Sequence, residues 1–317
     1  MKKFLLHIAL FSFILLVIAI SFDVFLTHKA KQVLYSPFAT WNDIYQHNIH
    51  SDVIMMGSSR SYVHFNPAVI DTILNVNSYN LGMNGRSADS QIKKYRIYRQ
   101  QGNPAPQLII YEVSHATMHK SNGYEREQFI PYLHDSYLWE LFHEQEKFSL
   151  ADRWIPSWRY LGRKKLIHQL IWYSPSKPNS YNLYKGFLGH DKKWDGEALK
   201  KRSSIDYGND RAVIRQFQDF LTECKQEGTQ VVLVISPFYI EGTKKMTDYE
   251  GMHNMYKEIA QKNSIALLDY TFDELSYDTT YFYNTMHLNK KGADLFSRKV
   301  AHDIDSLGVL SRPTCVK

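Results

Sequence analysis

Three short stretches of this chain carry residue types that together suit acyl transfer. In "VIMMGSSRSY", four apolar residues, Val53 to Met56, run into Gly57-Ser58-Ser59 and then Arg60. Strands often end in glycine or serine, and serine is a common helix cap, so the triplet alone fits an ordinary strand-to-helix turn. Read as chemistry, Ser59 opens a helix, where free N–H groups and the helix dipole favour developing negative charge. Ser58 is the rival hydroxyl. The second stretch is "NLGMNG", Asn80 to Gly85. A glycine there lets the backbone approach a ligand, so the Gly82 N–H is a candidate oxyanion donor and the Asn84 side chain a second one. A simple turn accounts for the same residues. The third stretch, "FYNTMHLNKKGADLF", sets His287 just ahead of a helix. An imidazole in that setting can take a proton from a serine hydroxyl and return it to a leaving group.

The elements around these stretches alternate in type. "DVIMMGSS", "PQLIIYEVS", "TQVVLVISPF" and "IALLDYT" read as short apolar strands, and "SYNLGMNG" as a short strand that breaks at its glycines. Between them lie helical patterns: "NPAVIDTIL", "ADSQIKKYRIYRQQG", "DRAVIRQFQDFLTECKQEG", "YEGMHNMYKEIAQKNS" and a last helix from about Lys290. This alternation predicts a parallel sheet covered on both faces, with ligands at the carboxyl ends of its strands. Some ninety residues after the third strand break the rhythm with an aromatic and basic tract. They read either as an insertion packing its aromatics on the parent domain or as a cap over a substrate groove, since Trp and Tyr stack on sugars and Arg/Lys attract acidic groups.

In their order and spacing the three stretches resemble the blocks of the SGNH/GDSL hydrolase superfamily. Those blocks are Gly-Asp-Ser or Gly-Ser-Ser after the first strand, Asn-x-Gly-x-x-Gly, and Asp-x-x-His before the final helix. Here they are Gly57-Ser58-Ser59, Asn80 to Gly85, and Asn284-Thr285-Met286-His287. "HLNKKGADLFS" is similar to the tail of membrane-anchored members that resemble the D-alanyl-lipoteichoic acid transfer and alginate acetylation proteins. The likeness covers roughly residues 50–115 and 210–305. It implies a flavodoxin-like, three-layer α/β/α SGNH fold with Ser59 as nucleophile, His287 as base, and no cofactor or metal.

Two departures bear on that implication. The family's acid is Asn284 here, an amide that can orient an imidazole but offers it no full charge. In a serine-protease triad an Asp-to-Asn change costs about 10⁴ in rate, through the wrong tautomer. This leaves a Ser–His dyad, an acid drawn from elsewhere (Asp278 is nearest), or a weakened site. The family's third-block asparagine is also not evident in "YEVSHATMH". The oxyanion then falls to the N–H groups of Ser59 and Gly82, with Asn84 or His115 as substitutes. Arg60 is placed to orient an acidic substrate or, more plainly, to make a salt bridge on the helix surface. His115 and His119 have the i, i+4 spacing of helical metal ligands, but no Glu follows His115.

Composition bounds the remaining choices. The chain has 317 residues, 44% hydrophobic and 22% charged, with a formal charge of +6. Positive charge favours acidic neighbours, yet zinc-finger spacing, an RNP-like strand and dense Lys/Arg runs are all missing, so nucleic acid is not expected. After Lys2 and Lys3, the apolar run Phe4 to Phe22 is about long enough to cross a bilayer. A leading pair of lysines predicts an inside N-terminus and an exported body; a signal peptide cleaved near Ala19-Ile20-Ser21 is the rival. Cys224 and Cys315 form a disulfide or stay as two thiols. The organisation expected is 1–26 as anchor or signal peptide, 27–50 as juxtamembrane connector, and 51–310 as an SGNH-like domain with an insertion at about 116–208. The function implied is extracytoplasmic acyl transfer on envelope polysaccharide, as O-acyltransferase or acetyl esterase, beside a membrane O-acyltransferase. The alternative is an inactive scaffold or glycan-binding protein.

Overall fold

The computed structural model describes all residues except 122, 124, 175–182, 201–207 and 311–317. Cys315 and the centre of the aromatic tract therefore lie outside the described residues. The chain divides into two compact units, Met1–Asp43 with Glu125–Asn182, and Ile44–Tyr124 with Leu183–Lys317. Residues 44–50 of the expected connector thus fall with the sheet-bearing unit, and the expected insertion is shared between the two.

The first unit is built on helix α1 (Lys2–Ala30), which is long and apolar enough to cross a membrane by length and composition. Its first turns expose Phe4, Leu10, Phe13 and Ile18, whereas Asp23, Leu26 and Ala30 near its end are buried. A buried carboxylate needs a partner, and Asp23 pairs with the buried Arg159 while accepting the Ser157 N–H at 2.9 Å. Trp41, Phe129 and Phe142 form an aromatic cluster with centroids 4.5 to 6.1 Å apart. The Trp41 indole donates to Gln128 at 2.8 Å, as a buried N–H requires.

The second unit holds a wholly parallel sheet of β1 (Val53–Met56), β2 (Ser78–Asn80), β3 (Leu108–Glu112), β4 (Gln230–Ile235) and β5 (Ala266–Asp269). Their spatial order is β2-β1-β3-β4-β5, the doubly wound flavodoxin-like order. Both faces are covered, which is why β1 and most of β3 and β4 are continuous apolar runs instead of alternating, while the short edge strand β2 is Ser78-Tyr79-Asn80. Val53, Met55, Leu108, Ile110, Val232 and Val234 pack on one face with Phe296, Val300 and Ile304. On the other face Tyr111 meets Phe217 edge-on at 5.0 Å and donates to Gln91 at 2.6 Å.

The helices follow from the same sequence patterns. Helix α2 (Ser59–His64) springs from β1, and α3 (Pro67–Leu74) starts on an Asn66 cap with proline in its first turn. Then come α4 (Ala88–Gln100), α5 (Arg211–Gln226) on an Asp210 cap, α6 (Tyr249–Asn263), and α7 (Lys290–Leu307) on an Asn289 cap. The edge strand β2 is shielded: its Asn80 N–H donates to Lys185 O at 2.9 Å. Gly186, at φ +78°, permits that approach, since a Cβ there would lie 1.9 Å from Asn80 O. Strand order reverses between β1 and β3, so the chain leaves β1 for Ser59 at the crevice where such sheets bind ligands.

Candidate active site

Gly57 ends β1 at φ +143°, and a Cβ there would sit 2.7 Å from the Glu112 Cβ and 2.8 Å from the Ser61 Cβ. Only glycine lets the chain turn this tightly over β3 into α2. The turn sends the two serines in opposite directions. Ser58 caps α2, its hydroxyl accepting the Arg60 N–H at 3.3 Å and donating to Glu112 Oε2 at 3.0 Å. The Ser59 hydroxyl lies 2.7 Å from His287 Nε2.

The His287 tautomer follows from its loop. Asn284 Oδ1 accepts the backbone N–H groups of Met286 and His287, each at 2.9 Å. Two N–H groups aimed at one atom require that atom to be the carbonyl oxygen. The same oxygen lies 3.0 Å from His287 Nδ1, so Nδ1 carries the proton and donates it. Nε2 is then the lone-pair nitrogen, and the Ser59 hydroxyl donates to it. The amide thus orients the imidazole as expected, and the wrong tautomer of the serine-protease Asn variant does not arise in this loop.

Burial holds His287 down to about 3, with further lowering from Arg60, His190 and Lys192. The imidazole is therefore neutral across ordinary pH. Tyr283 stacks on its face, centroids 5.4 Å apart and planes within 7°. His190 meets the Tyr283 ring edge-on at 5.1 Å, and Lys192 Nζ stands 5.6 Å from its centroid. His190 and Lys192 belong to the basic tract read as an insertion, so part of that tract packs on the tyrosine that stacks against the histidine.

Other expected site residues take different places. Arg60 is buried, neither on the helix surface nor open to a substrate. Its guanidinium donates to the carbonyls of Ser236 and Pro237 and faces Glu112, with Nε 3.5 Å from Oε1. The Gly82 N–H, expected at the oxyanion, donates instead to Asn80 Oδ1 at 2.9 Å. Gly82 is needed for packing, because a Cβ would lie 2.7 Å from the Tyr62 nitrogen. Asn84 sits half-buried in the turn ahead of α4. Asp278 caps a short 3₁₀ turn by accepting the Thr280 N–H at 2.8 Å, while Asn284 keeps the bond to the His287 ring. His115 and His119 lie in turns, not along a helix. Among the described residues no group of three or more His, Cys, Asp or Glu is arranged to hold a metal ion.

Two buried residues escaped sequence reading. Glu112 ends β3 fully buried, and burial raises its pKa while Arg60 and hydrogen bonding from Ser58 pull it back. An acid at the end of the apolar run "LIIYE" was its one signal. His64 is fully buried at the end of α2, with no signal in its neighbours.

No family model and no curated protein matches the chain. Similar solved structures include a GDSL-like lipase from Bacteroides thetaiotaomicron, 10% identical, with 80% of this chain and 88% of that one covered and a TM-score of 0.39. Another is a family two carbohydrate esterase from Clostridium thermocellum in complex with cellohexaose, 8% identical, with 81% and 65% covered and a TM-score of 0.41. Strand order, register and site define a doubly wound α/β protein with a serine–histidine pair at its topological switch point.

Proposed function

We propose that this protein is a serine-dependent acyl-transfer enzyme of the SGNH type, an O-acyltransferase or acetyl esterase acting on cell-envelope polysaccharide. The observation that carries this reading is the 2.7 Å contact from Ser59 Oγ to a His287 Nε2 whose lone pair the Asn284 loop leaves free. Ser59 Oγ attacks an ester carbonyl carbon as its proton passes to His287 Nε2. The oxyanion forms beside the Ser59 N–H, which as the first residue of α2 has no intrahelical acceptor. On collapse, the departing alkoxide takes the proton from His287 and leaves an acyl-Ser59 ester. Water, or a sugar hydroxyl, then attacks with His287 again as base; the acyl–Oγ bond breaks, Ser59 Oγ takes that proton back from His287, and acid or a newly acylated sugar is released.

The polysaccharide target rests on the resemblance of the three sequence blocks. The extracytoplasmic setting rests on α1, with a membrane O-acyltransferase as the partner that would supply acyl groups. One contact supports an uncleaved helix: Ser157 Oγ donates to Ala19 O at 2.7 Å, on the side of the rival cleavage point that a signal peptidase would remove. A second reading, an inactive scaffold or glycan-binding protein, draws on the neutral Asn284, which gives a forming imidazolium no counter-charge. Incubation with a fluorophosphonate and with an aryl acetate separates the two. Labelling and turnover that vanish in Ser59→Ala support the enzyme; an unreactive native protein supports the scaffold.

A further inference from the structure

The short helix α2 carries the proposed nucleophile at its first residue and a buried histidine at its last, Ser59 and His64. The Leu288 N–H, on the peptide bond that leaves His287, donates to His64 Nε2 at 3.0 Å. That bond makes Nε2 the acceptor and puts the His64 proton on Nδ1, which lies 3.0 Å from Ser236 Oγ. Ser236 follows β4, and its carbonyl takes the Arg60 guanidinium. Arg60 in turn faces Glu112, the acceptor of the Ser58 hydroxyl. One buried polar path thus runs from the nucleophile turn, under the sheet ends, to the loop that bears His287. His64 is further wedged between rings, edge-on to His287 at 6.3 Å and to Phe296 at 6.1 Å, and its carbonyl accepts the Ser297 hydroxyl at 3.1 Å.

We infer that His64 is a positioning residue, which pins the His287 loop to the same helix that presents Ser59 and so fixes the separation between base and nucleophile. Asn284 holds the His287 loop from its own side by accepting local N–H groups. Those bonds shape the loop but do not tie it to α2. The Leu288–His64 bond does, across 224 residues of sequence. A base that must meet a hydroxyl at hydrogen-bond distance is sensitive to a shift of about an ångström, which can lower a rate by roughly 10². His64 touches no reacting atom; it acts through Leu288. The inference rests on the acyl-transfer reading only for its effect on rate, since the tether is a structural relationship in its own right.

The test uses the full chain in detergent. His64→Phe keeps ring volume and removes the acceptor, whereas His64→Gln offers a carbonyl oxygen in its place. In His64→Phe the Leu288 amide is expected to exchange with solvent at least tenfold faster, with amides in β3 and β4 unchanged. Fluorophosphonate labelling of Ser59 is expected to slow by about 10- to 100-fold, in kcat more than KM for any turned-over ester, and His64→Gln to recover part of both. Should His64→Phe fold poorly, Ser236→Ala removes the acceptor of the Nδ1 proton, and the same faster Leu288 exchange is expected. Unchanged Leu288 exchange in whichever of these variants folds overturns the inference. Native protein that never labels, but whose Leu288 exchange responds as described, rejects the acyl-transfer reading and leaves the tether standing.

Discussion

The Asn284 side-chain oxygen accepts three N–H groups, those of Met286, His287 and the His287 ring. An amide at this position is tolerable because the backbone fixes which of its ends faces the ring. In a triad where nothing fixes the amide, it can present its NH₂ and turn the imidazole over. Here it orients the ring but leaves a forming imidazolium without a counter-charge.

Asn284→Asp should therefore keep all three bonds and add the missing charge. The His287 pKa is expected to rise, because an adjacent carboxylate favours imidazolium, and Ser59 labelling to proceed at least as fast as in the native chain. Asn284→Ala removes tautomer control and should slow labelling by roughly 10²-fold. Labelling rates of the three proteins, with circular dichroism to confirm folding, decide this. A folded Asn284→Asp protein much slower than native would contradict the orienting role.

The two adjacent serines should separate cleanly. Ser59→Ala is expected to abolish labelling and ester turnover while leaving stability nearly unchanged, since among the described residues its hydroxyl bonds His287 and no other side chain. Ser58→Ala removes the cap of α2 and a donor to buried Glu112. It should cost about 1–3 kcal/mol in denaturant unfolding yet keep measurable labelling.

Glu112→Ala should be the more damaging change, although Glu112 lies beneath the serines and off the reacting atoms. It leaves Arg60 charged and buried with the Ser236 and Pro237 carbonyls but without the carboxylate it faces, with an expected loss of about 3–5 kcal/mol. Urea unfolding of Glu112→Ala and of the Glu112→Ala/Arg60→Met double variant checks the cause, since removing both charges should return part of the stability.

The acid limb of the labelling rate should lie far below that of an ordinary histidine. With His287 held down to about 3 by burial and by Arg60, His190 and Lys192, its neutral form persists between pH 7 and 5. An unperturbed imidazole at about 6.5 would lose more than tenfold of its base form over that range. A labelling profile that falls with a midpoint near 6.5 would refute this.

Stability should also depend on pH through His64, which burial keeps well below the usual imidazole range. Below about pH 6.5 the unfolded chain binds a proton there that the native protein does not. Unfolding free energy then rises with pH, and it falls as the solution is acidified below about 6.5, by up to about 1.4 kcal/mol per pH unit. His287 and His115, both held down to about 3 by burial, add the same dependence, so His64→Gln should lower the slope by one histidine's share in urea titrations at pH 7, 6 and 5.

Much of the architecture was legible from residue order. Four of the strands and the helices between them announce themselves because a parallel sheet buried on both faces needs continuous apolar runs, and "LIIYE" or "VVLVI" supplies them locally; β2, Ser78-Tyr79-Asn80, is marked instead by the glycines that follow it. The Gly-Ser-Ser turn and the histidine before the last helix were visible for a similar reason: each depends on neighbours a few residues away. The shared membership of 1–43 and 125–182 in one unit was not visible, because the Asp23–Arg159 pair and the Trp41–Phe129 contact join distant segments.

Within the site the sequence by itself determined the cast, a hydroxyl, an imidazole and an amide at element ends. Tertiary structure alone decided their orientation. Which serine faces His287 depends on Glu112 holding the other from below; whether Asn284 presents its oxygen depends on two backbone N–H groups; and whether Gly82 has an N–H to give depends on Asn80. Arg60 looked like a surface charge because its spacing records its helix and not what folds over it. Hydrogen-bond direction is set by three-dimensional neighbours, and a linear pattern encodes only the period at which side chains leave the backbone.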